Sequence, residues 1–456
     1  MTSNKKKYHF IGIGGSGMSG VAQICLAQGY PVSGSDLKKS MATSRLESNG
    51  AIISFPHNHS NITEDPVVVV SSAIPETNEE LSFARRKGLP IMKRAEVLGT
   101  FMRGREGIAV AGCHGKTSTT SLVSSILTVA GLDPTTVVGG EASHVGGNAK
   151  FGQGKYLVAE ADESDGSFLH LPSKYSIITN IDNDHLDHYG SFESIMQHFL
   201  KFANQTENKV VMCAEDEHLN KLSRELGNKS VTYGFDRDHN YSAVDLREAF
   251  DGTRLTVLKN GEYFCNLHLP LPGKHMVLNS LAALGLCDLL GVEKEYLVEG
   301  LESFQGVQRR FEKVATYNGV EIYDDYAHHP SEVIATLQAA KQLMSNKEGK
   351  LVVCFQPHRY SRLQHLMNEF AASFDDADFL YLMPVYSAGE APIAGVDHWR
   401  LYRDLDLGAE KVSVLNSTSI EECRGLILPE LQPGDVLLTM GAGDITRMGR
   451  EIAADN

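Results

Sequence analysis

The 456-residue chain has no apolar run approaching the roughly 18 residues that a membrane-spanning helix requires. It has no excess of basic charge either. The formal net charge is −15, which argues against a nucleic-acid-binding surface but leaves room for local anion pockets. The seven cysteines are scattered singly with no CxxC pair, a pattern suited to free thiols in a reducing cytoplasm rather than to a disulfide framework or a zinc site. Low-complexity linkers and internal repeats are missing too. These absences point to a cytoplasmic protein that acts on small molecules, with no membrane or nucleic acid as partner; its oligomeric state, monomer or homodimer, is not fixed by them.

What is present is an ordinary globular composition, 42% hydrophobic and 22% charged, in a chain long enough for two or three cores. The start, "MTSNKKKYHFIGIGGSGMSGVAQICLAQG", places lysines before an apolar stretch. Its five glycines from Gly12 to Gly20 fit a loop between strand and helix better than a signal peptide. Strand-like and helix-like stretches alternate through most of the chain, predicting parallel α/β sheets. Exceptional is "EAFDGTRLTVLKNGEYFCNLHLPLPG", which alternates and carries Asp-Gly and Asn-Gly, predicting antiparallel hairpins.

Two glycine loops stand out. Gly12, Gly14 and Gly17 form GxGxxG directly after a strand, Gly15 lies within it, and Asp36 ends the next strand. This is the dinucleotide fingerprint. It suits an NAD-linked oxidoreductase or a UDP-sugar, both of which bring a pyrophosphate to a helix N-terminus, and also a tight turn without ligand. The second loop, Gly112-Cys113-His114-Gly115-Lys116-Thr117-Ser118, departs from GxxxxGK[ST], since Val110 stands where that pattern has glycine. Lys116 is placed to reach β/γ-phosphates and Thr117 to bind Mg²⁺. A lysine at a helix N-terminus is unfavourable without a compensating anion, which favours a bound phosphate. Cys113 reads as loop filler or as a redox-sensitive thiol.

Around that loop the sequence resembles the Mur ligase family, whose form of the motif is G-x-H-G-K-T. "EADESDGSF" (160–168), "TNIDNDHLDHYG" (179–190), "FQGVQRRF" (304–311), "YDDYAHHP" (323–330), "FQPHRYSR" (355–362) and "GAGD" (441–444) follow in the family's order. One departure is His275-Met276 where many relatives have His-Asn, with Asn279 three residues on. The resemblance implies three α/β domains. A Rossmann-like UDP-substrate domain would span 1–103, a central ATPase-type domain with an antiparallel insertion 104–308, and a Rossmann-like amino-acid domain 309–456. It further implies that ATP phosphorylates the carboxylate of UDP-N-acetylmuramate and that the amine of L-alanine displaces phosphate from the acyl phosphate. Two phosphorylated substrates explain two loops.

By the same resemblance, Gly12, Gly14, Gly15, Gly17, Asp36 and Ser72 hold the UDP-sugar. Residues 112–118, Asn279, Arg310 and Asp325 hold ATP, and Thr117, Glu160 and His185 hold Mg²⁺ (or Mn²⁺). Lys116, Glu160 and His185 form the catalytic set, while Tyr326, His328, Arg359 and Arg362 receive L-alanine. His328 or His329 is a possible proton acceptor. Read without the family, His185 is a hydrogen-bonded loop residue, "EADESD" a solvated acidic turn in which Asp162, Glu163 and Asp165 only set local charge, and Arg309-Arg310 an exposed basic pair. Three other readings remain open: a recycling ligase that attaches murein tripeptide to the same UDP-sugar, the NAD-linked oxidoreductase, and an ATP-dependent binding module without ligase chemistry.

Overall fold

The computed structural model describes residues 5–142 and 146–454. No helix among them is long and apolar enough to cross a membrane. The first sheet contains β1 (Tyr8–Ile11), β2 (Val32–Ser35), β3 (Ile52–Ser54), β4 (Val67–Val70) and β5 (Ile91–Lys93). All are parallel, in the order β3-β2-β1-β4-β5. Tyr8, Phe10 and Ile11 of β1 are buried, as expected of a strand covered on both faces.

The second sheet is built from β6 (Glu106–Ala111), β7 (Thr135–Ala142), β8 (Gly147–Lys150), β9 (Tyr156–Glu160), β10 (Tyr175–Ile178), β11 (Lys209–Cys213), β12 (Ser230–Gly234), β13 (Tyr241–Ala249), β14 (Gly252–Lys259) and β15 (Glu262–Leu269). Its order is β15-β14-β13-β12-β11-β10-β6-β9-β7-β8. The two-residue connections between β13, β14 and β15 are the hairpins that Asp251-Gly252 and Asn260-Gly261 announce. The short antiparallel strand β8 beside β7 was not anticipated.

The third sheet contains β16 (Glu312–Tyr317), β17 (Val320–Asp325), β18 (Leu351–Phe355), β19 (Phe379–Leu382), β20 (Val412–Val414) and β21 (Val436–Met440), in the order β16-β17-β21-β18-β19-β20. It is parallel except for β16, which pairs antiparallel with β17. Sequence reading overlooked this hairpin, although Asn318 (φ 47°) and Gly319 (φ 81°) form its two-residue turn with both residues left-handed.

The chain divides into two compact units. One comprises Met1–Val244, Thr256–Cys265 and Leu278–Phe304, the other Asp245–Leu255, Asn266–Val277 and Gln305–Asn456. The first unit thus contains the whole first sheet and most of the second. Within this unit the first and second sheets meet at the helix Ser16–Ala27, which begins inside the first glycine loop. Gly17 and Gly20 lie within this helix rather than in the loop. A Cβ on Gly20 would lie 3.4 Å from Asn148 O and 3.5 Å from the side chains of Ala149 and Val137. Asn148 donates to Ser19 Oγ at 2.8 Å and to Ser16 O. Glycine therefore lets the helix seat closely on β7 and β8.

Candidate functional site

The second glycine loop joins β6 to the helix Lys116–Val129. Gly112 and Gly115 have φ of 127° and 81°, backbone that side chains disfavour. A Cβ on Gly112 would lie 2.1 Å from Thr179 Oγ1, and one on Gly115 2.7 Å from Asn279 Oδ1. Asn279 thus borders the loop despite the His-Met departure beside it. Residues 179–182 cradle the loop from the carboxyl end of β10. Thr179 Oγ1 and Asn180 Nδ2 donate to His114 O at 2.6 and 3.0 Å, and Asn180 Oδ1 accepts the His114 N–H at 2.8 Å. His114 Nε2 lies 2.9 Å from Asp182 Oδ2. Cys113 is buried, and burial pushes its thiol well above the ordinary range, with Glu163 adding to the effect. That favours the packing reading over a reactive thiol.

Lys116 Nζ donates to Gly112 O at 2.6 Å, Cys113 O at 3.0 Å and Glu163 Oε1 at 2.9 Å. An ammonium has three donors, so the chain itself satisfies all of them. Burial works against the charge of Lys116, but Glu163 and then Glu160 outweigh it and hold its pKa above the ordinary lysine value. Glu163 is only 2% exposed, and burial pushes it up to about 7 against the pull of Lys116. This corrects the electrostatic argument drawn from sequence: the anion that compensates Lys116 is supplied by the protein, from a residue that was given no role. "EADESD" is not a solvated turn. Asp162 pairs with Arg94 Nη2 at 3.1 Å, and Asp165 Oδ1 accepts the Ser167 N–H at 3.0 Å.

Thr117 Oγ1 donates to Glu160 Oε2 at 2.9 Å, and the Gly139 N–H donates to the same oxygen at 2.6 Å. Ser118 is buried in the same helical turn. A hydroxyl and a carboxylate in contact form an oxygen donor pair of the kind Mg²⁺ takes. His185, at φ 59°, begins the short helix Leu186–Tyr189. Its Nε2 lies 3.7 Å from Glu163 Oε1 and 3.5 Å from Asp184 Oδ2. His185 is thus brought into the carboxylate cluster that holds Lys116.

At the first glycine loop, the N–H groups of Gly12 and Ile13 donate to Ser35 O, and Gly14 N–H donates to Asp36 Oδ2 at 2.7 Å. Gly15 precedes the helix, and its N–H reaches Gly12 O at 3.2 Å. Ser72 is exposed in the turn after β4, and Ile74 of that turn lies 3.1 Å from a Cβ built on Gly12. Arg94, which sequence reading missed, lies over Gly17: a Cβ there would be 2.3 Å from Arg94 Nη1. It places a cation at the helix start, held by Asp162.

The second unit gathers the remaining residues. Arg309 and Arg310 lie over the ring of Tyr326, at 4.6 and 5.1 Å from its centroid. Arg309 also donates to Gly441 O at 2.6 Å, so this pair is no loose linker. Glu332 collects His328 Nδ1 at 3.0 Å and Arg310 at 3.7 Å. Asp325 accepts the N–H groups of Phe311 and Ala327, both at 2.7 Å, and burial pushes it up to about 6 against Arg310. His329 is buried and precedes the helix Pro330–Leu343. His275 is held down to about 4, by burial first and then by Arg310.

Arg359 precedes, and Arg362 lies within, the helix Tyr360–His365. Beside them His358 stacks on Tyr386, ring centroids 5.7 Å apart at 11°. Burial, with neighbouring His328 and Arg362 adding to it, holds His358 down to about 3, so it is neutral near pH 7. Only the histidine immediately before "RYSR" signalled this in the sequence.

Three parallel-rich sheets, with a glycine-rich strand–loop–helix of the phosphate-loop kind in the second, define a multidomain α/β protein built to handle polyphosphates. Family models divide along the same lines. The first matches residues 7–106 ("Mur ligase family, catalytic domain"), the second 110–287 ("Mur ligase middle domain") and the third 309–443 ("Mur ligase, glutamate ligase domain"). A UDP-N-acetylmuramate–L-alanine ligase of Pelotomaculum thermopropionicum is 44% identical over 98% of this chain and 97% of its own. One from Geobacter sulfurreducens is 43% identical over 98% and 97%. The crystal structure of the UDP-N-acetylmuramate–alanine ligase of Thermotoga maritima superposes with a TM-score of 0.83, at 32% identity and 98% coverage of both chains. A murein peptide ligase of Psychrobacter arcticus shares the fold, with a TM-score of 0.71 at 24% identity. The chain belongs to the Mur ligase family.

Proposed function

We propose that the protein joins L-alanine to the carboxylate of UDP-N-acetylmuramate at the expense of ATP, giving UDP-N-acetylmuramoyl-L-alanine, ADP and phosphate, a step in cytoplasmic peptidoglycan precursor synthesis. The observation that carries this is end-to-end identity of 42–44% with ligases of that name. The murein peptide ligase, similar in fold at 24% identity, is the less supported reading. Nothing in the two loops calls for a nicotinamide, and Lys116 has a task in a ligase that an oxidoreductase does not offer.

In this reading 1–103, 104–308 and 309–456 serve the UDP-sugar, ATP and the amino acid. A carboxylate is a poor electrophile, and phosphorylation gives it a leaving group. Phosphoryl transfer depends chiefly on alignment and charge neutralisation. Lys116 supplies positive charge to the β/γ-phosphates, and the N–H groups at the start of its helix point the same way. Asn279 and Arg310 complete the nucleotide contacts, with Asp325 on the ribose. Gly12, Gly14, Gly15, Gly17, Asp36 and Ser72 take the UDP. The Thr117–Glu160 pair fits Mg²⁺ or Mn²⁺, and His185 fits a second ion beside it. Such ions supply neutralisation of developing phosphate charge. Arg359 and Arg362 grip the L-alanine carboxylate, whose planar geometry suits guanidinium, with Tyr326 and His328 alongside.

The test is ADP release with UDP-N-acetylmuramate and ATP while only the amine is varied, with mass spectrometry of the product. L-alanine is expected to support turnover and form the alanylated sugar nucleotide. Turnover with murein tripeptide and not L-alanine overturns the reading.

A further inference from the structure

Arg359 has φ 70° and ψ 136°, a combination close to the region that only glycine adopts freely. For a side-chain-bearing residue this costs roughly 1–3 kcal/mol and persists only where surrounding structure imposes it. Here that structure can be named. Arg359 N–H donates to Tyr386 O at 2.9 Å, and Tyr386 N–H donates to Pro357 O at 2.8 Å. Two residues beyond Arg359, the loop closes a second grip. Glu390 Oε1 accepts the Ser361 hydroxyl at 2.6 Å, and Oε2 accepts the Ser361 N–H at 3.0 Å. The loop itself is stiff: Glu390 N–H returns to Ser387 O at 3.0 Å across Ala388 (φ 48°) and Gly389 (φ 89°). Arg359 is exposed while Glu390 is partly buried, so the strained residue faces outward and its anchor does not.

We propose that Glu390 is a positioning residue for the amino-acid substrate: with Tyr386 it holds Arg359 in its strained backbone and fixes the direction from which Arg359 and Arg362 meet the substrate carboxylate. This rests on the proposed role of those arginines. Burial opposes the charge on Glu390, yet the Ser361 hydrogen bonds and the nearby Arg359 keep its carboxyl below the ordinary value, which sustains the two bonds at neutral pH. Glu390 and Ser361 direct these hydrogen bonds to each other. They act through the backbone of 359–362, so their loss should fall on one substrate only.

The experiment is steady-state kinetics of the full chain with each substrate varied in turn, for E390A, E390Q, S361A, the double variant E390A/S361A, and R359A as comparator. A charge-assisted hydrogen-bond pair of this kind predicts a rise in KM for L-alanine of about tenfold or more in E390A. KM for ATP and for UDP-N-acetylmuramate should stay within about twofold. S361A should move the same constant less, and E390Q, which keeps one acceptor oxygen, should fall between wild type and E390A. The double variant should be no worse than E390A, because both changes break the same contact. An unchanged L-alanine KM in folded S361A and E390Q overturns the proposal even should E390A fail to fold. So does a uniform change in all three KM values with a lowered melting temperature. If R359A itself leaves the L-alanine KM unchanged, the arginine assignment falls, and the positioning role falls with it.

Discussion

Lys116 and Glu163 form a buried ion pair at the second glycine loop, and replacing Lys116 with methionine separates what the lysine does for folding from what it is proposed to do for chemistry. Methionine approximates the aliphatic stem but removes the three hydrogen bonds and the charge beside a carboxylate that is 2% exposed. Breaking one side of a buried pair costs about 3–5 kcal/mol, and at about 2–4 °C per kcal/mol for a domain of this order the melting temperature should fall by roughly 6–20 °C. Without Lys116, burial drives Glu163 further up and protonates it, leaving a buried carboxyl without its partner; E163Q in the same background replaces that carboxyl, so K116M/E163Q should recover part of the loss. Turnover should not recover. A preorganised positive charge beside the transferring group is worth about 10²–10³ in rate, and neither variant restores it. Differential scanning fluorimetry and phosphate release on the four proteins of the cycle provide the measurement. Wild-type turnover in K116M, or its return in K116M/E163Q, would refute the role of Lys116. A melting temperature that falls further on adding E163Q would refute the argument that Glu163 is left without its partner.

Further variants address other parts of the molecule. G115A forces an alanine to φ 81° with its Cβ 2.7 Å from Asn279 Oδ1. It should weaken ATP binding by about tenfold or more and lower stability by about 1–3 kcal/mol, read by calorimetric titration and melting. T117V removes the hydroxyl that meets Glu160 and should raise the Mg²⁺ concentration needed for half-maximal turnover, whereas T117S should keep it near wild type. Burial raises the folded pKa of Asp325 to about 6, above the ordinary aspartate value of about 3.9. Its contribution is therefore fully present below about 4 and is lost as pH rises toward 6. The stability difference between wild type and D325N should shrink across that window and level off above it, as denaturant melts at several pH values will show. R359G should relieve the backbone strain and raise the melting temperature while sharply raising the L-alanine KM, an exchange of stability for function.

Much of the fold was legible because its signals are local. Alternating apolar strands and helices gave the α/β class, and Asp251-Gly252 and Asn260-Gly261 marked the hairpins of the second sheet. Asn318-Gly319 carries the same turn signal but was passed over, because the flanking "EKVATY" is mostly half-exposed and lacks a clear apolar alternation. The short strand β8 is stabilised by its pairing with β7 and by the helix that rests on it, neither of which appears in "GNAK" read alone. At the site, the loop glycines and Lys116 announce themselves through their spacing. Glu163 does not: four acidic residues crowd 160–165, and only the fold determines that Glu163 points inward to Lys116, Asp162 to Arg94 and Glu160 to Thr117. Glu390 is further still from sequence reach. Its partner Ser361 is 29 residues away and is met only when the ends of neighbouring strands come together.

The close seat of the helix Ser16–Ala27 on β7 and β8 has a consequence for how this protein can be recombined. Gly20, Ser16 and Ser19 belong to the leading hundred residues, whereas Val137, Asn148 and Ala149 belong to the segment that follows. A chimera that takes its leading segment from a distant relative would inherit one half of this seam without the other. A bulkier residue at position 20 would then lift the helix, and with it the loop at its start. Exchanges that carry 134–150 along with the leading segment should yield soluble hybrids where the simple swap yields aggregates.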